Sequence, residues 1–356
     1  MRNPPPLLPP LAALTYPVDT PPAAGAVTEI APGVLWLRMP LPFALDHINL
    51  WLLREQGGGA TLIDTGLGDS PTRTVWDRHF AAALSSTRIR RIIATHYHPD
   101  HLGNAAWLSA RCECGIAMTH SEYMTAHAAA GQYAGYDPES IIGLFRRHGM
   151  AEEHVAALAK RGNRYRRGVP ELPQSFDRIV AGDVLDAGDS RWRVLVGRGH
   201  SPEHASLYCA ERGILISGDM LLPRISTNVS VSALEPDGNP LRRFLDSLDG
   251  FADLPEETLV LPSHGLPFRG IAARIGQLRA HHDARLGELH AALEAAPAPM
   301  SAADLVPVLF RRELDIQQRY FAMGEAIAHL NFLWHAGKAR RSVEADGAIR
   351  FGPRVG

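Results

Sequence analysis

Cysteine is scarce in this chain, with only three in 356 residues. Cys112 and Cys114 form a Cys-x-Cys pair, and Cys209 lies far from them on an apolar segment. This spacing matches neither a disulfide framework nor a standard zinc knuckle. Because a chain without disulfides is typical of a reducing compartment, we expect a cytoplasmic location.

The sequence also lacks a run of apolar residues long enough to cross a bilayer. Repeated proline interrupts the apolar core that a signal peptide would need, and we interpret residues 1–26 as a proline-rich arm. The formal net charge is -2, which favours neither nucleic acid nor a membrane as a partner. A Gly-x-Ser-x-Gly elbow and a glycine-rich phosphate loop are missing too, so a serine hydrolase or P-loop enzyme is not expected.

Histidine, in contrast, is plentiful, and three of the 17 histidines stand with an aspartate in one short run. The run is His96-Tyr97-His98-Pro99-Asp100-His101, and it directly follows the apolar segment 91–95. Neutral imidazole and carboxylate are ligands that zinc and similar divalent metals prefer. A bound cation also offsets the desolvation of so many polar groups at the end of an apolar strand. The run therefore predicts a metal site, whereas the isolated histidines elsewhere are expected to be structural.

The same arrangement recurs three times: an apolar segment typical of a strand ends in a potential metal ligand. Segments 193–199, 213–218 and 258–263 precede His200, Asp219 and His264 respectively. A strand end followed by a turn can aim neighbouring side chains at one or two ions. These residues are therefore candidates for the same site as the histidine run.

Two further motifs complete a resemblance to the metallo-β-lactamase-fold hydrolases. Leu62-Ile63-Asp64-Thr65-Gly66 is similar to the family's early strand and turn, and Gly199-His200-Ser201-Pro202-Glu203-His204 is similar to its Gly-His-Ser/Thr-Pro-Gly-His segment. Glu203 departs from the glycine of many relatives but is not a ligand position. The five motifs occur in the family's order over about residues 27–270, which makes a chance match very improbable.

The resemblance implies a fold and a two-metal site. The expected fold class is α/β, a four-layer αββα sandwich over residues 27–272 with a helical insertion at about 121–167. The resemblance assigns His96, His98 and His200 to one metal, and Asp100, His101 and His264 to the other, with Asp219 bridging. Two divalent ions are expected, with zinc favoured over iron or manganese, and His204 is expected to be structural.

A water shared by two dications loses its proton near neutral pH and becomes the expected nucleophile. Asp100 is the expected catalytic residue, because its carboxylate can orient that hydroxide and later shuttle its proton. Antibiotic-hydrolysing branches of the family carry cysteine at the position of Asp219 or lack the bridging carboxylate. The resemblance therefore disfavours β-lactam hydrolysis and favours thioesterase, lactonase or phosphodiesterase chemistry.

Substrate contacts are predicted from position in the chain. Arg224 and Asn228 lie on the segment that leaves Asp219, and a guanidinium is a suitable anchor for a carboxylate or phosphate. Tyr97, between two ligands, is a further candidate. The insertion offers apolar side chains for a lid or acyl pocket, although an ordinary helical hairpin would have the same pattern. Those side chains are Tyr133, Tyr136, Ile141, Ile142, Leu144, Phe145 and Met150.

The C-terminal segment 273–356 differs in character. Helical patterns over 274–294 and 316–335 flank a capping box at Ser301 and Asp304, and Asp346-Gly347 indicates a hairpin. This succession resembles a winged-helix module, which some relatives carry behind the hydrolase. Its small excess of basic residues is a weak footprint for nucleic acid, so we expect a structural or dimerising role instead.

Three functions remain open at this point. The leading one is a metal-dependent hydrolase for a thioester or ester of a small acyl compound, of coenzyme A or glutathione type. The second is a phosphodiesterase or single-strand endoribonuclease that uses the same metals. The third is an iron-dependent persulfide dioxygenase, for which the resemblance implies a single iron held by a facial set of ligands. Metal content and a substrate panel would separate them.

Overall fold

A computed structural model describes residues 13–354 of the chain. Residues 1–12 of the predicted proline-rich arm, which spans residues 1–26, lie outside the described residues. The part that is described packs on the body of the protein: the backbone N–H of Thr15 donates to the carbonyl of Arg269, and the N–H of Arg269 donates back over 2.9 Å. The end of the arm is therefore attached at Arg269.

Two β-sheets form the centre of the fold. The first has seven strands in sequence order: β1 (Thr28–Ala31), β2 (Val34–Pro40), β3 (His47–Arg54), β4 (Gly59–Ile63), β5 (Arg88–Ile93), β6 (Gly115–Met118) and β7 (Asp177–Arg178). The second has the order β12-β11-β10-β9-β8, formed by β8 (Val184–Ala187), β9 (Ser190–Gly197), β10 (His204–Cys209), β11 (Ile214–Gly218) and β12 (Leu259–Pro262). Strands β4 to β7 are parallel, as are β11 and β12, and the other pairs are antiparallel.

The two sheets face each other across a core that both supply. Trp36 on β2 pairs with Trp51 on β3, and their stacked rings, with centroids 5.9 Å apart, pack in the same cluster as Trp192 of β9. The alternate residues Leu35 and Leu50 point to the opposite face, because successive side chains of a strand alternate. Both faces of the first sheet are therefore buried, which explains its nearly continuous apolar strands.

Helices cover the outer faces of both sheets. The first half of the chain contains α1 (Ser70–Ala81), α2 (Pro99–Leu102), α3 (Ala105–Cys112), α4 (His120–Gly131), α5 (Pro138–Arg147), α6 (Glu152–Ala159) and α7 (Arg164–Gly168). The second half contains α8 (Pro240–Ser247), α9 (Asp249–Ala252), α10 (Ile271–Ala295), α11 (Ala302–Leu309) and α12 (Ile316–His335). With Trp76 and Leu108 packed under the first sheet and Phe244 under the second, the layers are helix, sheet, sheet, helix. The predicted α/β sandwich is confirmed.

The insertion consists of α4 to α7, and most of its apolar side chains do not line a pocket. Leu144, Phe145 and Met150 are buried in a core shared with the C-terminal helices, and the Phe145 ring meets the edge of Tyr320 on α12 at 5.5 Å. Tyr133, in contrast, is 69% exposed. The spacing of these residues did not reveal which face of the insertion packs, so neither a complete acyl pocket nor a self-contained hairpin describes it.

The C-terminal segment has the predicted succession of elements. The capping box of Ser301 and Asp304 is present, and a hairpin of β13 (Ala339–Val343) and β14 (Ile349–Pro353) follows α12. Its likeness to a winged helix stays a prediction. The C-terminal helix α12 also touches the loop after β11: the Val231 N–H donates to the Gly324 carbonyl over 3.2 Å. A β-carbon on Gly324 would lie 2.8 Å from the side chain of Ser230, so this approach needs glycine.

No helix within residues 13–354 is both long enough and apolar enough to cross a membrane.

A close backbone approach near α2 gives a test of the packing. An added β-carbon at Gly68 would lie 2.5 Å from the Gly103 carbonyl oxygen and 2.7 Å from that of Gly168. Because backbone cannot move aside as a side chain can, we expect Gly68→Ala to lower the free energy of unfolding by about 1–3 kcal/mol. Gly143 inside α5 has no atom within 4 Å of such a carbon, so Gly143→Ala should raise stability by about 0.5–1 kcal/mol. Denaturant unfolding of both variants checks the opposite signs, and equal effects would contradict the packing.

Candidate metal centre

The ends of strands from both sheets meet at one edge. His96 and His98 follow β5, and Pro99 starts the short helix α2, whose first turn carries Asp100 and His101. In the second sheet, β9, β11 and β12 run in the same direction, so His200, Asp219 and His264 after their carboxyl ends come to the same edge. The structure thus brings all seven predicted ligands together.

The seven side chains form two groups, each within reach of a single ion. His96, His98, His200 and Asp219 present ligand atoms within 4.8 Å of one another, and Asp100, His101 and His264 form the second group. In the first, His96 Nε2 lies 2.9 Å from His98 Nδ1 and 3.2 Å from His200 Nε2. In the second, Asp100 Oδ2 lies 3.4 Å from His264 Nε2 and 3.6 Å from His101 Nε2.

Asp219 lies between the two groups. Its Oδ2 is 3.3 Å from His200 Nε2, and its Oδ1 is 3.4 Å from His264 Nε2 and 3.6 Å from His101 Nε2. One carboxylate oxygen therefore faces each group, which is the arrangement that a bridging ligand requires.

The far side of three of the five imidazole rings is held by the protein in the same way. His101 Nδ1 lies 2.8 Å from Asp64 Oδ2, while His200 Nδ1 and His264 Nδ1 each lie 2.8 Å from a backbone carbonyl, of Asn228 and His47. A ring N–H that donates outward fixes the tautomer and turns the other nitrogen, Nε2, toward the centre. The three rings are thus oriented as metal ligands would be.

Two orphaned atoms show that the residues fit a cation. Asp219 Oδ1 and His101 Nε2 are fully buried and have no hydrogen-bond partner among the described residues. An unsatisfied buried carboxylate oxygen costs free energy, and a metal ion is a partner that satisfies it and the imidazole nitrogen together. The mixed imidazole and carboxylate donor set suits zinc, iron or manganese.

The electrostatics of the two groups differ. Burial, reinforced by neighbouring imidazoles, lowers the pKa of His98 to about 3, so this ring is neutral and ready to bind a metal. Burial also opposes the charged form of His264, but Asp219 and Asp100 outweigh it and raise the pKa of His264 to about 10. The same carboxylates, with Asp64, raise the pKa of His101. In the second group, protons therefore compete with a metal for the imidazole nitrogens.

Glu122 on α4 connects the two ligand loops, and nothing in the sequence pattern identifies it. Its buried carboxylate accepts hydrogen bonds from Tyr97 N at 3.0 Å, Ser201 Oγ at 2.6 Å and Glu203 N at 2.7 Å. The loop of His96 and His98 is thereby tied to the loop of His200. Asp64 belongs to the motif at residues 62–66, but the motif gave it no role. Its carboxylate contacts His101 Nδ1 and so fixes the position of that ring.

The other predicted residues lie in different settings. The Tyr97 ring packs 4.6 Å from the His98 ring, beside the centre. Asn228 acts on His200 through its backbone carbonyl, while its side chain accepts from Ser230. Arg224 is exposed, with its guanidinium 6.0 Å from the Tyr16 ring. His204 Nε2 accepts from the Asp219 N–H over 3.0 Å, so that nitrogen is already occupied in a structural contact.

Comparison with known proteins identifies the family from which this geometry comes. The sequence pattern of the metallo-beta-lactamase superfamily matches residues 44–264, which include all seven ligand candidates. The chain belongs to this superfamily. A second pattern, the metallo-beta-lactamase-like C-terminal domain, matches residues 286–354. The superfamily assignment confirms the resemblance that the motifs indicated.

Individual relatives extend the likeness over most of the chain. The crystal structure of a beta-lactamase domain protein from Burkholderia ambifaria is 49% identical with a TM-score of 0.88, covering 96% of this chain and 98% of that one. The probable metallo-hydrolase YqjP of Bacillus subtilis is 26% identical over 84% of this chain and 92% of its own length. The bovine acyl-coenzyme A thioesterase MBLAC2 is 27% identical over 54% of this chain, and the match spans 65% of that protein. The chain is thus similar to metallo-hydrolases.

Competition between protons and metal gives a testable pH dependence. Because His264 and His101 keep their protons up to pKa values above the usual imidazole range, a metal must displace them, and the protons are lost more easily as the pH rises. We expect zinc binding to chelator-treated protein to release protons and to weaken as the pH falls from about 8 to about 6. Calorimetry in buffers of different ionisation enthalpy measures the release. An affinity independent of pH would contradict the raised pKa values.

Glu122→Gln tests the tie between the ligand loops. The amide group of glutamine would turn an N–H donor toward one of the three donors that Glu122 now accepts from, leaving a buried donor unsatisfied at a cost of about 1–3 kcal/mol. We expect a lower melting temperature and weaker zinc binding in competition with a chromophoric chelator. Glu139→Gln on the exposed start of α5 is the matched control and should change neither. Unchanged zinc affinity in Glu122→Gln would remove the proposed role.

Proposed function

We propose that the protein hydrolyses acyl thioesters at a centre of two divalent metal ions, with zinc favoured. The position of Asp219 carries the proposal, because its two oxygens face opposite ligand groups at 3.3 and 3.4 Å. A single mononuclear iron would need only part of this set, so the geometry supports two ions over the iron-dependent alternative.

When bound, such a metal pair polarises the scissile carbonyl and lowers the pKa of a water to near neutrality. The chain's own residues do the rest. Burial opposes ionisation of Asp100, but His101 and His264 outweigh it and bring the pKa of Asp100 to about 2, so its carboxylate is ionised at neutral pH. It can therefore accept a hydrogen bond from water and orient it toward the substrate carbonyl.

The choice of a thioester is supported by chemistry and by likeness. The bridging ligand is Asp219 where antibiotic-hydrolysing branches have cysteine or no carboxylate, and a relative covering 54% of this chain is named an acyl-coenzyme A thioesterase. The Tyr97 ring lies 4.6 Å from the His98 ring beside the centre, and these partly exposed rings offer a surface for a planar acyl group. A small acyl thioester is therefore the proposed substrate class.

Metal analysis together with a substrate panel tests this proposal. We expect about two metal ions per chain by mass spectrometry and turnover of thioesters in preference to lactones and phosphodiesters. One iron per chain with oxygen uptake would support the persulfide dioxygenase instead. Preferred cleavage of single-stranded RNA or a phosphodiester would support the nuclease alternative.

Asp219→Ala tests the bridging ligand. Losing the carboxylate that faces both groups should abolish turnover, with a fall in kcat of at least about a hundredfold, and should reduce the metal content. Circular dichroism should show a folded protein, since the core lies elsewhere. Asp283→Ala, on an exposed face of α10, is the control and should retain full activity. Full activity of Asp219→Ala would count against the two-metal assignment.

A further inference from the structure

Four tyrosines lie together beside the candidate metal centre. Tyr97 stacks on Tyr165 of α7 with centroids 5.9 Å apart, and its ring meets the edge of Tyr136 at 6.3 Å. Tyr320 of α12 lies next to them, and we call the group of Tyr97, Tyr136, Tyr165 and Tyr320 the tyrosine cluster. Each of the four residues is partly exposed, so the cluster borders the surface of the protein.

Two half-buried arginines, Arg161 and Arg164, lie at the Tyr320 end of the tyrosine cluster. The Arg161 guanidinium lies 5.2 Å from the centroid of the Tyr320 ring, and Arg161 Nε is buried without a hydrogen-bond partner among the described residues. Arg164 donates from Nη1 to Gln317 Oε1, beside Tyr320 in sequence. Arg164 also precedes Tyr165, whose hydroxyl donates to the Tyr97 carbonyl over 2.7 Å. The short helix α7 therefore carries Arg164 and, through Tyr165, also contacts the loop of His96 and His98.

The two positive charges are not neutralised by the protein. Within residues 13–354, no carboxylate oxygen comes within 4.0 Å of a guanidinium nitrogen of Arg161 or Arg164. The acidic group that acts on both is Asp315, and its Oδ1 already accepts from the Gln318 N–H at the start of α12. Burial and the charges of Arg164 and Arg167 lower the pKa of Arg161 to about 10. Holding two partly buried guanidinium groups close together is unfavourable unless an anion binds between them.

We propose that Arg161 and Arg164 bind a phosphate group at the non-reacting end of the substrate, whose middle part lies along the tyrosine cluster and whose thioester lies at the metal centre. Guanidinium groups match the oxygens of phosphate in planar, paired hydrogen bonds. A phosphate carries close to two negative charges and a carboxylate only one, so two arginines suit a phosphate better. The inference rests on the proposed thioesterase function and makes it specific: the thiol part of the substrate is phosphorylated, as in coenzyme A, rather than carboxylated, as in glutathione.

Matched substrates separate this subsite from the chemistry. The metal-loaded double variant Arg161→Gln/Arg164→Gln is compared with wild type on one acyl group carried by coenzyme A, by pantetheine and by glutathione. We expect KM for the coenzyme A thioester to rise about tenfold or more, with the pantetheine thioester, which lacks phosphate, changed by less than about twofold. Arg166→Gln removes a charge from the same helix, where the exposed guanidinium of Arg166 donates to the Pro170 carbonyl, and should change neither KM.

Equal loss on all three thioesters, or no change on any, overturns the phosphate subsite, and a loss confined to the glutathione thioester overturns it in favour of a carboxylate. If the double variant does not fold, Arg161→Lys replaces it, since this substitution keeps the charge but removes the planar guanidinium. It should raise KM for the coenzyme A thioester by a smaller factor.

Binding tests the subsite even if no thioester is turned over. Calorimetry with coenzyme A on metal-loaded wild type and on the double variant cancels any contribution of the metals, which both proteins contain. Weaker binding to the double variant by about tenfold supports the phosphate subsite even where the thioesterase proposal fails. Equal affinity overturns the subsite and leaves the thioesterase proposal standing.

Discussion

Asp219 places one carboxylate oxygen against each of two groups of imidazoles, and this contact joins the edges of the two sheets. Burying a carboxylate among six other ionisable ligand candidates is unfavourable unless every charge has a partner. The surrounding structure supplies partners for three outward ring nitrogens, namely two backbone carbonyls and Asp64, and the inward atoms are arranged to bind a cation. The arrangement of loops around the centre follows from this need.

The two ligand groups differ in their electrostatics. The first group contains His98, whose pKa is lowered by burial, and the second contains His264, whose pKa is raised by carboxylates. A cation that binds at the second position would have to displace protons from His264 and His101, whereas His98 at the first position is already neutral. This asymmetry comes from the placement of Asp100 and Asp64 beside the second group, and we expect it to make the affinities of the two positions differ.

The resemblance to a known family predicted the sandwich, and that family's motif order together with the local pattern indicated the seven ligand candidates. Apolar strands that end in His or Asp place those side chains at a sheet edge whatever the details of packing. Glu122 could not be predicted, since its role depends on two loops that are distant in sequence and meet only in the fold. Phe145, one of the residues offered for a lid or pocket, packs in the core against Tyr320, because helical spacing does not reveal which neighbour covers the apolar face. The tyrosine cluster was identified only in part: Tyr97 and Tyr136 were named from the sequence, whereas α12 supplies Tyr320 from far along the chain.

The contact between Val231 and Gly324 has a consequence for how this architecture can change. The loop after β11 orients His200 through the Asn228 carbonyl and also packs on α12. The candidate metal centre and the C-terminal segment therefore depend on the same loop, and the C-terminal segment cannot be exchanged without regard to this contact. A replacement segment from a relative would have to keep a glycine at position 324, or it would displace the loop whose Asn228 carbonyl orients the His200 imidazole.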